Sequence, residues 1–208
     1  MYTPRSFAED RTDRLHDFIK HHSFGMLISH EGSHLEASHL PFLLDREFGP
    51  YGQLSSHMAR ANSQWRGLDG CEVLTIFHGP HAYISPTWYE AENTVPTWNY
   101  VAVHAAGTLR VTEDPEQLRQ IVQRTVDTNE SHMPTPWSMG SADKAFIDQL
   151  LAGIVGFTID ITRLEGKWKL NQNHDVERRE RVIEVLKERP TENEHRIADL
   201  MRRSLDNG

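Results

Sequence analysis

A chain of 208 residues with 38% hydrophobic and 25% charged side chains can fill a core and keep a solvated surface, which excludes disordered and fibrous classes. Its 22 Lys and Arg against 30 Asp and Glu leave a net charge of −8, so a broad nucleic-acid-binding face is not expected. Cys71 is the single cysteine, which permits neither an internal disulfide nor a multi-cysteine metal site. No apolar run approaches the roughly 20 residues of a membrane span, and MYTPRSFAED has no signal-peptide core; the expected location is the cytoplasm.

In chain order, Asp10 caps an expected helix over Arg11 to His22, with Leu15, Phe18, Ile19 and His22 on one face. The period then changes. FGMLIS, HLEASHLPFLL, YGQLSSH, CEVLTIF, HAYIS and NYVAVHAAGTLRV read as strands broken by Gly and Pro, the last alternating Val101, Val103, Ala105, Gly107, Leu109 and Val111 on one face. HMARANSQW, residues 57–65, lacks alternation and predicts a short helix or turn directly after a strand. Asp114-Pro115 starts a helix, a second is expected from about Ala142 to Leu150, and GIVGFTIDITRLEG is the last strand. Two helices close the chain, about Val176 to Arg189 and about Glu192 to Leu205, with Thr191 and Glu194 as a capping box. Ile197, Leu200, Met201 and Leu205 form an apolar edge that must dock, with a second subunit as one candidate.

Between Phe24 and Arg110 only four side chains are cationic (Arg46, Arg60, Arg66 and Arg110), against eight acidic ones. Arg60 is the best placed for an anion, because it follows a strand and opens a turn with free backbone N–H groups, and Ser56, His57 and Asn62 stand beside it. The alternative is a surface arginine paired with a carboxylate. Residues 79–104 gather Tyr83, Trp88, Tyr89, Trp98 and Tyr100 among three prolines, which suits a planar ligand, a subunit interface or a barrel core. GKWKLNQN, residues 166–173, offers Lys167, Lys169 and three amides to a phosphate or an electron-rich ring, or is a polar turn. The thirteen histidines match no zinc spacing, so no metal site is expected, while haem, needing one axial histidine, stays open. Nucleophile elbow, P-loop and GxGxxG patterns are all missing.

Several blocks in the same order, SHLPFLL, GQLSSHMARANSQW, IFHGPHAYISPTWY, VPTWNYVAVHAAG, IVGFTIDI and LEGKWKLNQN, resemble the PaiB-type family of FMN-binding negative transcriptional regulators. Ser63 and Asn171 depart from its pattern, where proline and serine are expected. The resemblance implies a mainly β chain with peripheral helices (α+β). It would be a single six-stranded antiparallel split-barrel domain over 1–208, with an N-terminal helix region at 1–23, the barrel and its inserted helices at 24–165, and a cofactor loop with C-terminal helices at 166–208. It further implies a homodimer with FMN at the subunit interface. Ser56, His57, Arg60 and Asn62 would hold the phosphate, Thr97, Trp98 and Asn99 would line the flavin, and Lys169 and Gln172 would reach the ring or ribityl chain. The alternatives are a flavin-dependent reductase and a haem-binding split barrel. Direct DNA binding is not favoured, since residues 176–208 carry eight basic and eight acidic side chains.

Overall fold

Helix α1, Thr12–His21, starts two residues after Asp10 and buries Leu15 and Ile19, the stripe its spacing requires, while Phe18 packs its ring on His22. In this computed structural model, which describes residues 1–31, 34–90 and 92–206, the strands are β1 Ala8–Glu9, β2 Phe24–Glu31, β3 His34–Pro41, β4 Leu43–Asp45, β5 Gln53–Ala59, β6 Glu72–Ile84, β7 Thr97–Thr112 and β8 Ile154–Lys169. They form one sheet in the order β3-β2-β6-β7-β8-β5-β4, with β1 added on β8. The mainly β class with helices is as expected, but the sheet has eight strands rather than six. The extra ones are the two-residue β1 and the three-residue β4, too short to leave an alternation in the sequence.

Two other boundaries differ from the sequence reading. HLEASHLPFLL is two strands, because Pro41 ends β3 and Phe42 turns inward, its N–H on the Ser23 carbonyl and its ring edge-on to Phe77 and Phe157. CEVLTIF and HAYIS are one strand, β6, which runs through Gly79-Pro80. Residues 57–65 continue β5 to Ala59, turn, and end in a single 3₁₀ turn at Ser63–Trp65 capped by Asn62. The remaining helices are α2 Pro115–Glu130, α3 Lys144–Ala152, α4 Val176–Glu188 and α5 Glu192–Asp206.

The chain divides into two compact units, each assembled from separate segments. One comprises residues 12–77 and 104–164. There β2 and β3 form a hairpin in register from Phe24↔Pro41 to Glu31↔His34, and β5 pairs antiparallel with β8 from Gln53↔Asp160 to Ala59↔Ile154. The inward alternation of β8, Val155, Phe157, Ile159 and Ile161, fills its core with Leu27, Leu54, Phe77 and Leu109. Gly107 lies so close to β8 that a Cβ would come within 2.3 Å of the Asp160 carbonyl oxygen, which only glycine can accommodate. Cys71 is half-buried, its Sγ 3.3 Å from the Gly67 carbonyl oxygen.

The other unit comprises residues 1–11, 78–103 and 165–208. It holds α4 and α5, packed on each other. Val182, Ile183 and Leu186 of α4 and Ile197 and Met201 of α5 are buried, so the apolar edge, for which a second subunit was one candidate, docks within the chain at Ile197 and Met201, with Leu200 and Leu205 half-buried. The capping box forms as read: Thr191 Oγ1 accepts from the Glu194 N–H, and the Glu194 carboxylate accepts from the Thr191 N–H.

Candidate functional site

The proposed phosphate group is set by β5 and the turn after it. Alternation along β5 buries Ser56, which spends its one hydroxyl proton on the Pro41 carbonyl at 2.6 Å. His57, next along, is partly exposed, with Nδ1 buried and without a partner; burial pushes its pKa below the usual histidine value. Asn62 accepts from the Gln64 N–H through Oδ1 and donates from Nδ2 to Ser38 Oγ, both at 2.9 Å.

Arg60 is held on three sides. Its Nε donates to the Ala152 carbonyl at 3.0 Å and Nη2 to the Ile154 carbonyl at 3.1 Å, while Nη1 pairs with Glu113 at 2.5 Å. The backbone N–H of Arg60 donates to the Gly153 carbonyl. The side chain thus places a cation on the last carbonyl of α3, where the helix dipole favours it, and on the first carbonyl of β8. Three of the five guanidinium N–H groups are used, leaving two. Arg60 lines a cleft of about 660 Å³ with Arg119 and Lys144, and with Glu113, Asp114, Glu116 and Asp148. Of the two readings of Arg60 from the sequence, the carboxylate-paired surface arginine is the one this geometry displays, in a cleft lined by four carboxylates and three cations.

In the other unit, Lys169 ends β8 and Thr97 begins β7, and the structure brings them together. Lys169 Nζ donates to Thr97 Oγ1 and, at 2.6 Å, to the Trp98 carbonyl, with the Phe7 ring centroid 6.0 Å away. Burial, and then the neighbouring Lys167, hold the Lys169 ammonium below the usual lysine value. The Trp98 indole is 52% exposed and abuts Tyr83, 45% exposed, and His81 at centroid distances of 5.9 and 5.8 Å. Asn99 is fully buried, its Nδ2 on Met201 Sδ and its Oδ1 without a partner. Gln172 folds back on its own loop, accepting from the Leu170 N–H and donating to the Trp168 carbonyl. Between these two residues Asn171 takes a left-handed conformation, φ 62°, which an asparagine tolerates, and donates to the Tyr89 hydroxyl.

Sequence spacing missed Phe7, His174 and Arg178 in this region and had Tyr89 only as one of five aromatics. Phe7, Tyr89, His174 and Arg178 join Lys169 and Thr97 around a cavity of about 300 Å³ whose lining has no carboxylate. The ring of Tyr89 lies 5.5 Å from the Arg178 guanidinium, and Arg178 Nη1 is 3.0 Å from His174 Nδ1. The i,i+4 spacing of His174 and Arg178 was the one signal available. The cavity that Lys169 and Thr97 line, with the ammonium fixed at its wall and the amides of Asn171 and Asn173 beside it, suits a polar ring or chain that carries carbonyl groups. The two spare N–H groups of Arg60 are open to an anion, whereas His57 Nδ1 is buried and His57 does not line the Arg60 cleft.

Comparison with known proteins defines the class. Residues 1–163 match the family described as "Putative FMN-binding domain", and the chain belongs to that family, an FMN-binding protein of split-barrel fold. It is 35% identical over 206 residues to the protease synthase and sporulation protein PAI 2 of Bacillus subtilis, covering 99% of this chain and 98% of that one. Among solved structures the fold is similar to the flavocytochrome Anf3 of Azotobacter vinelandii, with TM-score 0.57, 8% identity, and coverage of 80% and 72% of the two chains. It is also similar to an FAD and haem binding protein of Mycobacterium smegmatis, with TM-score 0.54, 14% identity, and coverage of 83% and 78%. Among the described residues no helix is long and apolar enough to cross a membrane.

Proposed function

We propose that this protein is a homodimeric, flavin-responsive regulator and that, its two units taken separately, one offers Lys169, Thr97 and Trp98 to a flavin ring and the other offers Arg60 and His57 to a phosphate. FMN supplies redox chemistry when bound, and the protein's own part is to grip and orient it. The observation that carries the reading is the Lys169 ammonium, held by Thr97 and the Trp98 carbonyl at the wall of a cavity whose lining has no carboxylate. It presents a fixed positive charge to a ring edge that gains electron density on reduction, and a charge in a partly desolvated setting acts more strongly than in water. Asn99 is buried within β7 against Met201, and Gln172 pins the loop after β8.

Regulation would act through a partner protein rather than by a direct grip on DNA. The basic side chains of α4 and α5 are largely committed: Arg202 pairs with Glu180 and Glu184, Arg189 with Glu194, Arg196 with Glu192, and Arg181 donates to the Tyr89 carbonyl. Few are left to neutralise phosphates along a duplex.

Titration of the purified chain with FMN and with riboflavin, which lacks the phosphate, tests both assignments. Lys169→Met is expected to weaken both ligands by about tenfold, the loss of one charge-assisted contact. Arg60→Ala is expected to erase the preference for FMN over riboflavin. Equal affinity of the Lys169→Met and unaltered proteins removes the ring assignment, and a preserved FMN preference in Arg60→Ala removes the phosphate assignment. Sedimentation at micromolar concentration reads the dimer, and a monomer that binds FMN fully would overturn that part.

A further inference from the structure

We propose that the cavity between α1, the β3–β4 corner and α2 is a second ligand site, separate from the flavin, that takes a small amphipathic anion: an apolar chain or ring ending in a carboxylate. The cavity has a volume of about 310 Å³, at the lower end of the range for small-molecule sites. Its floor is apolar: Ile19 and Phe42 are buried beneath it and Leu44 is half-buried at its side. Its rim is cationic, with Lys20 from α1, Arg46 after β4 and Arg124 from α2, and no lining side chain is a carboxylate.

The state of the three cations supports an anionic ligand. Arg46 donates from Nη2 to Asp17 at 2.6 Å, which fixes the guanidinium and draws the Asp17 carboxyl below its usual range. Lys20 and Arg124 make no hydrogen bond and no ion pair among the described residues. Three positive side chains and no carboxylate line this cavity, in a protein whose net charge is −8. A carboxylate at this rim would give Lys20 and Arg124 a hydrogen-bonding partner, while its apolar body covers the exposed parts of the half-buried Leu43 and Leu44. Hydroxyl groups of Ser23 and Thr128 at the same rim can add hydrogen bonds.

The site shares no residue with the flavin assignments, so each stands or falls by itself. Calorimetric titration of the full chain with decanoate tests it, with the neutral decanamide as the comparison and octanoate and hexanoate as shorter chains. One equivalent of decanoate is expected to bind, at least tenfold more tightly than decanamide, with affinity falling up to roughly fourfold per methylene removed. The double variant Lys20→Ala/Arg124→Ala, which alters two exposed side chains, is expected to lose at least tenfold in decanoate affinity while keeping its Tm and its FMN affinity. The proposal is overturned by failure of decanoate to bind, by equal binding of the amide, or by full affinity in the double variant. Displacement of decanoate by FMN overturns it too, since the cavity would then belong to the flavin.

Discussion

Arg60 and Lys169 both stand at the end of a strand, one just past β5 and the other closing β8, yet the two units use them in opposite ways. Arg60 is sunk into its own framework: the carbonyls of Ala152 and Ile154 and the Glu113 carboxylate occupy three of its donors, and it seals the C-terminal end of α3. Lys169 rests on a hydroxyl and a carbonyl, pays for its burial with a lowered pKa, and lines a cavity whose wall has no carboxylate. A cation that completes the hydrogen bonding of a helix end contributes to stability. One that is desolvated without a carboxylate costs stability and is retained for something it will bind.

This contrast can be broken by measurement. The largest effect on stability is expected from Arg60→Ala, which frees two carbonyls and Glu113. With solvent exposure discounted, the loss is about 2 kcal/mol, a fall in Tm of roughly 4–8 °C by calorimetry. A Tm within 1 °C or so of the unaltered protein would remove the framework role. Lys169→Met is expected to move Tm by no more than about 2 °C, in either direction, since the lost contacts are offset by the relief of a desolvated charge. A large drop would make Lys169 a structural residue like Arg60.

Smaller effects appear with pH. Between the lowered folded pKa of Lys169 and its ordinary value of 10.5, the unfolded chain holds a proton that the folded chain has released. Stability therefore rises with pH across that window, and urea midpoints at pH 8, 9 and 10 should show a rise that Lys169→Met reduces. His57 acts at the acid end, because burial lowers its folded pKa below 6.5. As pH falls through 6.5 the unfolded chain takes up a proton that the folded chain refuses, so stability is lost. His57→Gln should make the midpoint at pH 5.5 closer to that at pH 7.5. Some slope will remain, as burial lowers His78 and His174 in the same way.

Long alternating strands and capped helices were legible before any coordinates. β7 and β8 carry their inward residues at every second position, and Asp114 accepts from the Glu116 and Gln117 N–H groups as its place before Pro115 requires. β1 and β4 were hidden by their length, and the continuity of β6 by Gly79-Pro80, a pair that reads as a break. The site was legible as residue types but not as partnerships. The carbonyls that hold Arg60 lie 92 and 94 positions away in the chain, and Thr97 lies 72 positions from Lys169, separations at which local spacing carries no information. The cavity residues Phe7 and Tyr89 reach Lys169 from equally remote segments.

The solitary thiol at Cys71 makes the quaternary question directly measurable. Each chain can carry one nitroxide and no more, so a two-fold assembly would yield a single inter-spin distance in a pulsed resonance experiment, while isolated chains would yield none. Recording that distance with and without flavin would show whether the coenzyme alters how two copies meet, without introducing any new residue into the polypeptide.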